Sequence, residues 1–121
     1  MEGLNLNIYD KANELADALK ECPEVITLRE AAEKIKKNDA NKNMVKDFRK
    51  LQYEAYSEQV KNGELSKNME DKLNKIGTVI SMNPDVSAYL QAESRFAMIW
   101  EDIMKALNEA VNVDIGFEFE K

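Results

Sequence analysis

Glu93 is the residue whose type and position bear most directly on chemistry. It falls in a row at helical spacing whose neighbouring members, Leu90 and Ala97, are apolar. A carboxylate at such a position is costly to bury unless it is paired. It could be an acid or a ligand for a metal ion or small molecule, or it could pair with a Lys, Arg or Tyr and set helix register. We favour the structural interpretation, because the chain has no His and no second carboxylate stands out at an inward position.

The residue types that most catalytic sites require are missing. With no His and one Cys, the chain cannot form a Ser-His-Asp or Cys-His nucleophile, the usual zinc sites or the Glu-x-x-His pairs of di-iron bundles. Its four Gly lie far apart, which excludes a glycine-rich phosphate loop. The sequence therefore predicts no catalytic, cofactor-binding or metal-binding residue. Cys22, next to Pro23, is interpreted as a buried and inert thiol.

Composition indicates a folded domain with an acidic surface. The 121 residues are 44% hydrophobic and carry a formal net charge of −6, which suits one folded domain. Direct nucleic-acid binding is not expected, because it depends mainly on cationic contacts with phosphate. The stretch Lys34–Lys50 is an exception, with seven basic residues against two acidic ones. It is either a solvated helix face or a patch for an acidic partner or RNA.

One long predicted helix, from Pro84 to Asn112, would position Glu93. Its apolar row alternates steps of four and three residues, which is typical of the a/d seam of left-handed helix pairing. The row is Val86, Leu90, Glu93, Ala97, Trp100, Met104, Leu107 and Val111. A second row, every seven residues, widens the stripe enough for two neighbours; it is Tyr89, Phe96, Ile103 and Ala110.

This helix is too long for a compact domain of the same size. At about 1.5 Å per residue it would extend roughly 43 Å, whereas the expected radius of gyration is about 14 Å. Its far end therefore needs a partner, and we predict a homodimer that forms by heptad-like packing. The interface candidates are Tyr89, Leu90, Glu93, Phe96, Trp100, Met104 and Leu107.

Shorter helices precede the long one. Residues 1–6 are predicted to be a loose tail, and Asn7 to cap the first helix. Pro23 suits the first position of a second helix, although the capping-box string at Thr27 allows a later start. Asp39 is predicted to cap the third helix.

Capping residues and helix-terminating residues define the boundaries of the remaining helices. Gly63 should end the third helix, and Ser66 should cap the fourth. Gly77 costs roughly 1 kcal/mol inside that helix and is interpreted as a mark of close helix approach. Asn83 and Pro84 suit the cap and first position of the last helix. The predicted fold is one all-α domain of about five helices: two short ones lead into a segmented antiparallel hairpin of the third, fourth and last.

In residues 113–121 the spacing of apolar residues changes from helical to alternating. Val113, Ile115, Phe117 and Phe119 alternate with polar residues or Gly, which is typical of a strand. A single strand is not stable alone, so the segment would pair with a symmetry mate, add to a partner's sheet or lie as a tail over a groove. We favour the tail.

The sequence also predicts a cytoplasmic protein with no contact with a membrane. Its longest apolar run, Phe96–Trp100, is far shorter than the roughly 20 residues of a membrane span. Residues 1–7 lack the basic start and apolar region of a secretory signal. A lone Cys is usual in a reducing compartment.

The ordered set of features resembles the YlbF/YmcA family of small helical bacterial proteins, and more closely its YheA-like branch. The matching strings are Ile8-Tyr9 with Ala12 and Leu15-Ala16, Asp39 before Met44-Val45 and Phe48, Gln52, Gly63, and Asn83-Pro84 before Tyr89-Leu90-Gln91-Ala92-Glu93 and Phe96. The resemblance implies a cytoplasmic helical hairpin that associates as a dimer or larger assembly. It also implies a non-catalytic regulatory subunit of a complex that influences competence and RNA processing. The family's cysteine-held iron–sulfur clusters are not carried over, because this chain has only Cys22.

Three functions follow as hypotheses. The first is a non-enzymatic interaction protein, a homodimer that scaffolds or regulates a heteromeric complex. The second is an RNA-associated accessory module that acts through Lys34–Lys50. The third is a small-ligand-binding bundle around Glu93, which would require a polar pocket and no neutralising partner.

Overall fold

The computed structural model describes residues 2–113, with side chains from Asn7 onward. Five α-helices account for almost all of this range, and it contains no strand: α1 (Glu2–Glu21), α2 (Pro23–Lys36), α3 (Asp39–Asn62), α4 (Lys67–Ser81) and α5 (Pro84–Val111). The predicted all-α class is confirmed. Apart from Val113, the segment with strand-like alternation lies outside the described residues. Within them, no helix is long and apolar enough to cross a membrane.

Most helix ends fall where the sequence predicted them. Ser66 Oγ accepts a hydrogen bond from the Met69 amide at 3.1 Å, and Asn83 Oδ1 accepts one from the Val86 amide at 3.1 Å. Gly63 ends α3 in the left-handed conformation, with φ of 82°. Helix α2 begins at Pro23 rather than at Thr27. Each of these residues acts on a backbone group within four positions of itself, so the local sequence suffices to place it.

Two predicted caps were wrong. Helix α1 begins at Glu2, so residues 2–6 are helical and Asn7 lies inside the helix. An interior Asn costs less than about 1 kcal/mol, so Asn7 does not prevent the longer helix. Helix α3 is capped by Asn38, whose Oδ1 accepts from the Asn41 amide at 3.0 Å, while Asp39 is its first helical residue. An acid in the first turn interacts favourably with the helix dipole without capping the helix.

The core lies where four helix ends meet. Ile35 of α2, Val45 of α3, Ile80 of α4 and Val86 of α5 form one buried cluster, and Met44, Phe48, Ile76, Tyr89 and Leu90 pack against it. Helix α5 contacts α2, α3 and α4, and its most extensive partner is α2. The sequence had placed α2 outside the hairpin, but α2 packs against the first half of α5, where Ile35 and Val86 share the core cluster. Helix α1 contacts only α2 among the described helices.

Gly77 does not mark a close helix approach. A Cβ built at this position would meet no atom within 4 Å. The interpretation from sequence was therefore wrong, since a Gly inside a helix can also lie on an open face. The conformational entropy that its backbone loses on folding is then not offset by a packing contact.

Candidate interaction surface

The apolar seam of α5 divides into a covered half and an open half. In the first half, Val86 is 0% exposed and Leu90 packs against the core cluster. In the second half, Trp100 is 47% exposed, Leu107 50% and Val111 64%. The heptad spacing runs unchanged through both halves, but the helices of this chain cover only the first. We call Ala97–Val111 the open half of α5.

The predicted interface residues are shared between these halves. Tyr89 and Leu90 pack against the core cluster, so they lie inside the fold of one chain. Phe96 stands at the boundary, and its ring centroid lies 5.8 Å from that of Trp100 in a tilted pair. Trp100, Met104 and Leu107 lie in the open half, whereas Glu93 lies in the covered half.

Glu93 belongs to a hydrogen-bonded cluster between α3 and α5. Arg49 Nη2 lies 2.6 Å from Glu93 Oε2 and donates a second hydrogen bond to the Tyr89 hydroxyl at 3.0 Å. The Tyr89 hydroxyl donates in turn to Glu93 Oε2 at 3.3 Å. The Arg49 guanidinium also lies 5.9 Å from the centre of the Tyr89 ring. Each member therefore contacts the other two.

The electrostatics of the cluster are those of a mutually satisfied group. The hydrogen bond to Glu93 raises the pKa of the Arg49 guanidinium. Burial raises the pKa of the Tyr89 hydroxyl, and the nearby Glu93 carboxylate raises it further. The Arg49 and Glu93 side chains are 47% and 36% exposed, so the ion pair is worth no more than about 1 kcal/mol.

The Arg49 contact removes the main reason for treating Glu93 as a ligand-binding group. A ligand site would need a carboxylate without a neutralising partner. Here the Arg49 guanidinium and the Tyr89 hydroxyl both donate hydrogen bonds to Glu93 Oε2. The cluster joins α3 to α5 at one fixed register, as the structural interpretation required. Among the described residues, no group of three or more His, Cys, Asp or Glu could hold a metal ion.

An asparagine pair that sequence reasoning missed joins the starts of α3 and α5. Asn83 Nδ2 donates to Asn41 Oδ1 at 2.8 Å, and Asn41 is only 6% exposed. Asn83 thus caps α5 with its oxygen and satisfies a buried amide with its nitrogen. The sequence signals the cap, but nothing local points to a partner 42 positions away.

Helix α1 presents a second open apolar face. Ile8 is 62% exposed, Tyr9 65% and Leu15 38%. In the apolar row of Ile8, Ala12, Leu15 and Leu19, only Leu19 is half-buried. At the junction with α2, the half-buried Cys22 thiol donates to Glu24 Oε1 at 3.1 Å. That hydrogen bond lowers the pKa of Glu24. Cys22 is therefore hydrogen-bonded rather than enclosed among apolar groups.

The family model described as "Control of competence regulator ComK, YlbF/YmcA" matches residues 8–112. The chain belongs to the YlbF/YmcA family. That description names a regulatory role and no reaction. The resemblance found in the sequence is thus confirmed for the family, while the YheA-like branch stays a prediction.

Relatives of this YlbF/YmcA family member match over nearly their whole length. A UPF0342 protein of Clostridium tetani is 60% identical over 116 residues, which cover 96% of this chain and 100% of the relative. One of Clostridium novyi is 49% identical over 109 residues, 90% of this chain and 96% of the relative. One of Symbiobacterium thermophilum is 37% identical over 110 residues, 91% and 98% of the two chains. None of these names specifies a reaction or a ligand.

Proposed function

We propose that this chain is a non-catalytic regulatory subunit that acts by binding proteins and that it first forms a homodimer through the open half of α5. The supporting observation is the seam itself, which keeps its heptad spacing to Val111 although its members from Ala97 onward are exposed. A seam of this kind is stable only when a second helix covers it.

The energetics favour a dimer that also uses α1. Complete burial of a large apolar side chain contributes about 1.5–3 kcal/mol, so covering one that is half exposed contributes roughly 1 kcal/mol. Trp100, Met104, Leu107 and Val111 from two copies would then supply about 8 kcal/mol. Association costs about 4–15 kcal/mol before any affinity appears. The α1 stripe, with Ile8 and Tyr9 almost two-thirds exposed, provides the additional area.

The family description supports a protein as the regulatory target. Control of the competence regulator ComK would require contact with another protein, directly or within a complex. The faces left open by the dimer would provide that contact. No reaction is required, and the cluster around Glu93 is satisfied within the chain.

Light scattering of the full chain at micromolar concentration tests the dimer. The wild type should scatter as a dimer of the 13.9 kDa chain, and Trp100→Ala and Leu107→Asp should shift it toward monomer. Val60→Asp is the matched control, because Val60 is 67% exposed on α3, away from the seam. Leu90 is unsuitable, since it packs against the core. A monomeric wild type would refute the proposal.

Affinity purification from the native host tests the regulatory partner. The wild type and Val60→Asp should recover the same stoichiometric protein after ribonuclease treatment, and Leu107→Asp should recover less of it. Recovery of RNA-processing factors only while RNA is intact would instead favour the RNA-associated hypothesis. Recovery of the bait alone would contradict both.

A further inference from the structure

A basic groove lies between α2 and α3 and is bounded by Tyr89 of α5. Its volume is about 320 Å³. Its apolar lining comes from Ala32, Ile35 and Val45 together with the Tyr89 ring. All the charged residues that line it are cations; they are Lys36, Lys42, Lys46 and Arg49. We call this feature the basic groove.

The cations of the basic groove can accept an acidic ligand. Lys36 contacts Glu33 at 3.5 Å and Lys42 contacts Asp39 at 3.7 Å, and both pairs are well exposed. Such pairs are weak and exchange readily with other carboxylates. Within residues 7–113, Lys46 has no carboxylate within 4 Å. Arg49 already donates hydrogen bonds to Glu93 and to the Tyr89 hydroxyl.

The larger groove between α3 and α4 does not share this property. Its volume is about 590 Å³, and its lining includes Asp47 and Glu54 as well as three Lys. Charges of both signs give no preference for an acidic ligand. Of these two grooves, the basic groove is therefore the one that selects for negative charge.

The chemistry that fits the basic groove is an acidic segment that also carries apolar side chains. The chain contains one in residues 114–121, which lie outside the described structure. This segment has three acids and one Lys, and apolar side chains at Ile115, Phe117 and Phe119 alternate with Gly or acids. Its charge and its apolar content both complement the groove.

Residues 114–121 cannot reach the basic groove of their own chain. From Tyr89 to Asn112, α5 rises about 35 Å, and Tyr89 is the groove residue on that helix. The nine residues after Asn112 span at most about 30 Å when fully extended. Glu118 would reach no more than about 22 Å back along the helix, well short of the groove.

An antiparallel dimer through the open half of α5 brings the segment of the second copy within reach. In that arrangement Val111 of one copy lies near Ala97 of the other. Tyr89 is then only about 12 Å further along the helix.

We propose that residues 114–121 of one copy bind in the basic groove of the second copy, in an antiparallel dimer. The inference rests on the proposed homodimer. It assigns one shared role to Lys34–Lys50 and residues 114–121. The segment of each copy would bind the basic groove of the other, one at each end of the α5 contact.

Photo-crosslinking in the full chain tests the placement. Benzoylphenylalanine replaces Phe117, and labelled and unlabelled copies are mixed so that mass spectrometry separates interchain from intrachain products. We expect interchain products within residues 32–49. The control puts the crosslinker at Val60, which is 67% exposed near the end of α3, and should give no interchain products in that region. Intrachain products, or interchain products elsewhere, would overturn the proposal.

Charge exchange tests the recognition. Lys42→Glu with Lys46→Glu should lower the interchain yield about tenfold, and so should Glu118→Lys with Glu120→Lys. Combining all four changes should restore the yield. Lys61→Glu with Lys67→Glu makes the same charge change outside the groove and should have no effect. Equal yields in every variant would refute charge recognition by the groove.

Two further readouts separate this inference from its alternatives. Light scattering of the same samples reports the dimer: a dimer without groove crosslinks refutes this inference alone, and a monomer refutes it together with the proposed function. A labelled single-stranded RNA is titrated at low salt into the wild type and the Lys42→Glu, Lys46→Glu variant. RNA binding that requires these lysines, without groove crosslinks, would assign the groove to RNA instead.

Discussion

Replacing Asn83 with alanine should destabilise the folded chain by about 2–4 kcal/mol, because the side chain makes two separate contributions. Loss of the Oδ1 cap on the Val86 amide costs about 1 kcal/mol. Loss of the Nδ2 donor leaves Asn41 Oδ1 without its partner at a site where Asn41 is 6% exposed, which costs about 1–3 kcal/mol more. The two costs add because one side chain supplies both contacts.

Ser66→Ala is the matched control, because the Ser66 side chain caps α4 and makes no second hydrogen bond in the described structure. It should cost about 1 kcal/mol. Asn83→Ser retains a cap but loses the contact with Asn41, so it should fall between the two alanine variants. Urea unfolding followed by circular dichroism at 222 nm measures all three, at one protein concentration because dimerisation contributes to apparent stability.

A double-mutant cycle with Asn41→Ala isolates the pair. The two single substitutions should show a coupling of about 1 kcal/mol or more, which is the range for residues in direct contact. If Asn83→Ala costs no more than Ser66→Ala, and the cycle shows no coupling, the Asn83–Asn41 hydrogen bond does not stabilise the fold.

Gly77→Ala should stabilise the chain by about 1 kcal/mol, since a Cβ meets nothing there, whereas Gly63→Ala should destabilise it by a similar amount because of its φ of 82°. Thermal unfolding that moves in the same direction for both would contradict this reasoning. A cycle of Arg49→Met and Glu93→Gln should give a coupling below about 1 kcal/mol, as expected for an exposed pair; a value of several kcal/mol would refute the surface assignment. The raised pKa of Tyr89 stabilises the fold below about pH 10, and this contribution is lost as the pH rises through its folded pKa. Urea titrations at pH 9 and pH 11 should therefore show a smaller loss for Tyr89→Phe than for the wild type; an equal loss would contradict the shift.

The cluster around Glu93 shows how far a pattern of types and spacings can predict a site. The spacing identified Glu93 as an unusual residue on an apolar row, and the cost of a buried charge indicated a cation or Tyr as partner. Arg49 could not be chosen among the many Lys and Arg, because it lies 44 positions away on another helix. The same limit applies to Asn41 and Asn83, where the capping role was visible and the pairing was not.

The sequence by itself determined the helical class, most helix boundaries and the absence of the usual catalytic groups. These follow from interactions within about four residues, such as the caps at Ser66 and Asn83 and the φ of Pro23. Only the tertiary structure decided which parts of the apolar stripes are covered. The spacing from Val86 to Val111 is uniform, yet α2, α3 and α4 pack against its first half alone. Periodicity records that a face must be buried, but it carries no information about which chain buries it.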